Sequence, residues 1–188
     1  MPTSEKEIFL TFDDGPVPDP TEYVLNELEK AQAKATFFCI GDNVRKYPEI
    51  FQKVLAGGHT IGNHTYNHWK GWSHSTIDYL QNIEKCEEQF RLHRVNGCQL
   101  FRPPYGRITP NQLQAVKEKY QVIMWDVLTR DYAASLSPEH CLKGSLAATR
   151  PGSIVVFHDS LKAKKNLIFV LPRFLRHFTE LGYRFSAL

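Results

Sequence analysis

The run Ile8-Phe9-Leu10-Thr11-Phe12-Asp13-Asp14-Gly15-Pro16 joins a β-rich segment to two adjacent carboxylates and a Gly-Pro turn. Aromatic and β-branched side chains favour a strand there, while Asp, Gly and Pro end one. Comparable β-rich runs recur at Thr36–Ile40, His59–Asn63, Leu100–Arg102, Val122–Trp125, Ile154–Phe157 and Tyr183–Phe185. Segments of helical period separate them. Asp19 is placed to cap a helix with Pro20 in its first position and Val24, Leu25 and Leu28 on its inner face. Pro48–Ala56 carries Ile50, Phe51, Val54 and Leu55 and stops at Gly57-Gly58. A longer helix is expected from about Ser75 to Leu92, with Ile77, Leu80 and Ile83 inward. Thr109-Pro110 and Ser137-Pro138 read as caps, and a last helix through Ile168, Leu171, Leu175 and Phe178 ends at Gly182. Strands that alternate with helices predict a parallel α/β architecture, because parallel neighbours need crossover connections. Either a small (β/α) barrel or an open doubly wound sheet fits. No GxGxxG follows the first strand, which weighs against a dinucleotide fold.

The 188 residues suit one domain, 1–188, with no linker, composition shift or internal repeat. A formal net charge of +3 is too mild and too evenly spread to argue for a nucleic-acid or anionic-membrane binder, and no nucleic-acid partner is expected. The densest basic cluster, Lys162, Lys164 and Lys165, reads as a solvated loop. Cys39, Cys86, Cys98 and Cys141 form no CxxC pair and are expected to be buried free thiols. No run approaches the eighteen apolar residues of a transmembrane helix. Met1–Glu7 is polar and lacks the apolar core of a signal peptide, which predicts a cytoplasmic protein unless an export signal has been removed. A monomer is expected.

The chemically loaded residues follow the ends of the expected strands: Asp13-Asp14, then His64 and His68, Arg102–Tyr105, Asp126 and Asp131, and His158-Asp159. In parallel α/β folds, ligand and catalytic groups gather at that one face. Taken alone, DDGP reads as a turn and HxxxH as easily as two surface histidines. Together, Asp14, His64 and His68 make a carboxylate and two imidazoles, with the histidines sharing a face if that segment is helical. Such a set leaves coordination positions open to water and substrate. It also suits ferrous iron, a reading that gives Asp13 and His158 no task. Arg102, placed near Asp13, would hold that carboxylate ionised and oriented. Pro103 and Pro104 have no N–H, so Tyr105 offers the first amide after the strand as an oxyanion donor. His158 is the natural general acid. His59, His74, His93, His140 and His177 have no such placement and are left structural.

In this order the blocks resemble the NodB-homology polysaccharide deacetylases, carbohydrate esterase family four. Thr11–Pro16 is similar to that family's TFDDGP motif, His64–His68 to H(S/T)xxH, Arg102–Tyr105 to RPPY, and Ile154–Asp159 to a strand ending in His-Asp. Ala35–Gly41 resembles the family's usual second strand. The fourth block departs from the pattern: Trp125–Tyr132 keeps Asp131 but has Leu128 for the first acid and Tyr132 for the usual tryptophan. The resemblance implies an irregular (β/α)7 barrel. It implies a divalent metal, zinc first and cobalt, nickel or manganese as alternatives, held by Asp14, His64 and His68. Asp13 is then the base, His158 the acid, Arg102 the partner of Asp13 and Asp131 the partner of His158. Tyr105, Pro104 and Trp125 fall on the substrate and oxyanion side. The implied reaction is removal of N-acetyl groups from a peptidoglycan- or chitin-like carbohydrate. The alternative is hydrolysis of another amide or ester, such as a small-molecule amide or acetylated xylan, at the same site.

Overall fold

A computed structural model describes residues 5–188, so the first four residues of the polar Met1–Glu7 stretch lie outside the described residues. The strands are β1 Glu7–Asp13, β2 Thr36–Cys39, β3 Thr60–Asn63, β4 Leu100–Phe101, β5 Gln121–Val122, β6 Val127–Leu128, β7 Ile154–His158 and β8 Arg184–Ser186. All pair in parallel, in the order β5-β4-β3-β2-β1-β7-β6, with β8 on the first half of β1.

The expected strand Val122–Trp125 is corrected to two short ones, β5 and β6, which belong to opposite edges of the sheet. The reason is in the backbone. Ile123 N–H donates to Phe101 O beside β5, whereas Asp126 N–H donates to Ile154 O beside β6. Only residues 123–126 separate these edges. Five Cα–Cα steps of 3.8 Å therefore bound the gap at roughly 19 Å. A sheet whose two edges are tied so closely must curl, and the irregular (β/α)7 barrel results; the open doubly wound sheet is excluded. Asp126 is also corrected. It precedes β6 and its Oδ2 accepts the Ile154 N–H, so it sits at the opposite end from the chemistry.

Strand alternation sorts β1 by face. Ile8, Leu10 and Phe12 are fully buried in the main core with helix residues such as Val24, Leu28, Leu167 and Phe174. Each such side chain contributes about 1.5–3 kcal/mol through burial. Phe12 stacks on Phe37 and Phe157 of the neighbouring strands at 5.2 and 5.8 Å. Thr11 and Asp13 take the other face, toward the barrel interior, where both meet Arg102.

The helices are α1 Pro20–Lys30, α2 Gly41–Lys46, α3 Pro48–Ala56, α4 Thr76–Leu92, α5 Pro110–Lys117, α6 Pro138–Ala148 and α7 Lys164–Glu180. Ser75, Thr109 and Ser137 accept the cap bonds from Asp78, Gln112 and His140 N–H. Short α2 was not expected from the sequence. The inner face of α4 is Tyr79, Asn82, Ile83, Cys86, Glu87 and Phe90. Ile77 falls off that stripe and is 70% exposed, contrary to expectation. On α7 the stripe is Leu167, Val170, Leu171, Phe174, Leu175 and Phe178, which leaves Ile168 half-exposed beside it. The four cysteines are free and buried, as expected. Among the described residues no helix is long and apolar enough to cross a membrane.

Candidate metal and active site

The carboxyl ends of β1, β3, β4 and β7 bring the expected residues to one cleft of about 530 Å³. Asp13, Asp14, His64, His68, Tyr105, Trp125 and His158 line it, together with Arg107, Leu128, Tyr132, Ser160 and Lys162. Arg102, Asp131 and Pro104 do not line it; they are buried behind its walls.

Asp14, His64 and His68 offer three ligand atoms within 4.8 Å of one another. The two histidines are not on a helix, which corrects the sequence expectation. Asn63 ends β3, and the following loop turns through positive φ at Thr65 (62°) and His68 (55°). Buried Asn82 on α4 holds that loop, its Oδ1 accepting from Tyr66 and Asn67 N–H and its Nδ2 donating to Asn67 Oδ1. A loop clamped from α4 does the converging that a helical turn was expected to do.

The donor set suits a divalent cation. His64 Nδ1 lies 2.7 Å from Arg102 O, and because a carbonyl only accepts, Nδ1 carries the proton and Nε2 keeps its lone pair. Burial, only partly opposed by the charge of Asp13, pushes His64 down to about 4, so the ring is neutral. Burial pushes the Asp14 carboxyl upward, but the neighbouring His68 and His158 outweigh it and hold the group well below the usual carboxylate range. Its Oδ1 is buried and receives no hydrogen bond, although His64 Nε2 and His68 Nε2 stand 3.7 and 3.2 Å away. An ionised, orphaned oxygen facing two imidazole nitrogens is what a cation site requires.

Asp13 is adjacent to this triad but tied elsewhere. Its Oδ1 accepts from Arg102 Nη1 at 2.7 Å, and its Oδ2 is 4.0 Å from His64 Nε2. Arg102 has no exposed surface and spends its remaining donors on Thr11 Oγ1, Ile123 O and Met124 O. The parallel register sets Asp13 directly beside His158 on β7. Asp131 Oδ1 and Oδ2 take His158 Nδ1 and the His158 N–H, each at 2.8 Å. Burial disfavours the imidazolium, but the Asp131 charge and hydrogen bond outweigh it, and His158 is pushed up to about 9.

A scan against protein families matches residues 1–122 to the polysaccharide deacetylase model. The chain belongs to the polysaccharide deacetylase family. Members are metal-dependent hydrolases acting on N-acetyl amides. A peptidoglycan-N-acetylglucosamine deacetylase of Bacillus cereus is 36% identical over 162 residues, which cover 85% of this chain and 58% of that protein. A chitooligosaccharide deacetylase of Azorhizobium caulinodans is 34% identical over 163 residues, 83% of this chain and 75% of that one. The crystal structure of a peptidoglycan N-acetylglucosamine deacetylase superposes with a TM-score of 0.92 at 32% identity, covering 100% of this chain and 88% of that one. Polysaccharide deacetylase describes the fold as well as the motifs.

Asp159 gained no role from the sequence of this family member beyond its place after His158. It is fully buried, with Oδ1 accepting from Gly15 N–H at 3.0 Å and Oδ2 from Thr21 O–H at 2.7 Å, while its own N–H donates to Asp13 O. Burial pushes its carboxyl up to about 8. It bolts the turn that carries Asp13 and Asp14 to the strand that carries His158. A Cβ on Gly15 would fall 1.9 Å from Asp159 Oδ2, so the glycine is required by this close approach. Asp159→Ala strands two buried donors and is expected to lower unfolding stability by about 2–4 kcal/mol, measured by urea denaturation. A loss within about 0.5 kcal/mol, the range of an ordinary surface substitution, would contradict this.

Proposed function

We propose that residues 1–188 form a single catalytic domain that removes N-acetyl groups from N-acetylglucosamine-containing poly- or oligosaccharides. The observation that carries this reading is the Asp14–His64–His68 triad flanked in one cleft by Asp13 and by His158, each with a buried partner. The names of the related peptidoglycan and chitooligosaccharide deacetylases support the substrate class. We take the domain to act as a monomer. Two imidazoles and a carboxylate favour zinc, with cobalt, nickel or manganese as alternatives.

A bound divalent cation supplies Lewis acidity toward the acyl oxygen and toward water. Asp13, fixed by Arg102, accepts the proton of the attacking water. The Tyr105 N–H donates to the developing oxyanion, an interaction typically worth about 3–4 kcal/mol for a well-placed donor. Pro104 and a positive φ of 60° at Tyr105 shape the turn that presents that amide. His158 enters protonated and delivers its proton to the departing amine nitrogen, without which an amine leaves poorly. Trp125 and Leu128 form the apolar wall. Metal quantification followed by acetate release from N-acetylglucosamine oligomers and peptidoglycan fragments tests the reading. Bound metal without acetate release from either would sink it.

The His158–Asp131 pair predicts a pH dependence. His158 works while protonated, so activity falls as pH rises through its value of about 9. Asp131→Asn removes the charge that raises this value and leaves burial, which lowers it. The alkaline limb of kcat/KM should move toward acid by at least about one pH unit. An unmoved limb would detach Asp131 from this task. The sign for stability follows from the same shift. A histidine raised in the folded state contributes fully below its unfolded value near 6.5, and that contribution is lost as pH rises through about 9.

A further inference from the structure

The cleft holds two cations that the reaction does not use. Arg107 follows the β4 end and Lys162 follows the β7 end, and both line the cleft. In the sheet order β4 and β7 are separated by β3, β2 and β1, the strands whose ends carry the triad and Asp13. The two cations therefore flank the triad from two sides. The acidic groups of the cleft have other places: Asp13 is paired with Arg102, and Asp14 belongs to the cation triad with His64 and His68. Behind the wall, Asp131 is committed to His158. Among the described residues neither Arg107 nor Lys162 has a carboxylate within ion-pair distance, so both charges in the cleft lining are open to a ligand.

Both cations also lie over aromatic rings, Tyr132 in the cleft lining and Trp72 outside it. The Arg107 guanidinium sits 4.5 Å from the Trp72 ring centroid, and Lys162 Nζ sits 5.6 Å from that of Tyr132. Trp72 is 59% exposed, and its Nε1 donates to Ile108 O in the same loop as Arg107. Tyr105, 63% exposed and in the cleft lining, packs on His68 of the triad. Exposed ring faces suit the apolar faces of sugar rings, and a guanidinium resting on one of them suits a carboxylate.

We infer that Arg107 and Lys162 select an acidic glycan, one bearing a carboxylate on a sugar next to the N-acetylated one, over a neutral polymer of N-acetylglucosamine. The inference deepens the deacetylase reading and rests on it. Three tetrasaccharides of equal length test it: a neutral N-acetylglucosamine tetramer, one alternating with N-acetylmuramic acid, whose lactyl group is a carboxylate, and the same acid form with that carboxylate amidated. Binding is measured on metal-loaded Asp13→Asn protein, which turns substrate over slowly. The carboxylate form is expected to bind about ten-fold tighter than its amide at low ionic strength. That ratio should shrink with added salt and fall to about one when Arg107→Gln and Lys162→Gln are added. Equal binding of acid and amide, or a ratio that survives the two substitutions, overturns the inference. Acetate release by the unsubstituted protein separates the two readings. Release without an acid preference refutes only the charge selection, and an acid preference without release from any tetramer refutes the deacetylase reading.

Discussion

Asp13→Asn is expected to lower acetate release by about 10²–10⁴-fold while bound metal stays at the unsubstituted stoichiometry. The two halves of this expectation come from different atoms. The triad oxygen is Asp14 Oδ1, and Asp13 Oδ2 stands 4.0 Å from the nearest ligand nitrogen, so the ligand set survives. The amide keeps the shape of the carboxyl, and its oxygen still accepts from Arg102 Nη1. What it loses is basicity toward water. Metal per chain and acetate release, measured on one preparation, check both halves. Near-normal turnover would remove Asp13 from the role of base, and loss of metal would move it into the ligand set.

Arg102→Ala is expected to cost about 3–5 kcal/mol of unfolding free energy, the range for breaking a buried ion pair by deleting one partner. The guanidinium has no exposed surface, and Asp13 is only 4% exposed. Deletion leaves that carboxylate without its counter-charge and leaves Ile123 O and Met124 O without donors. Adding Asp13→Asn to Arg102→Ala should recover part of the loss, because the stranded charge is gone. Urea unfolding of the two single variants and the double variant gives the coupling. A single-variant loss below about 1 kcal/mol would show that the pair is better solvated than its burial implies.

Much of the site was legible because its residues are polar groups placed where β-rich runs end. Asp13, His64, Arg102 and His158 each follow such a run, and parallel topology carries run ends to one face. The loop geometry was not legible. His64 and His68 converge through two positive-φ residues and a clamp from Asn82, and nothing in HxxxH encodes that. Asp159 was hidden because its partner Gly15 is 144 positions away in sequence. Lys162 read as a solvated loop residue, since a sequence does not say which cleft an exposed cation overlooks. Short α2 and the β5–β6 break were missed for a related reason. Elements of two to six residues carry too little periodicity to stand out, and contacts made by neighbouring strands set their bounds.

A cylinder built this way has a seam. Around most of its circumference the strands are laced by ladder bonds, but residues 123–126 bridge the two edges as single chain, pinned by the Arg102 guanidinium through Ile123 O and Met124 O. Breathing should begin there, and the Met124 and Trp125 amides of that bridge should exchange with solvent sooner than those of β1. The side chain that steadies the base is thus also the stitch that keeps the cylinder closed. A substrate that presses on Trp125 pulls on the same thread that holds Asp13 in place.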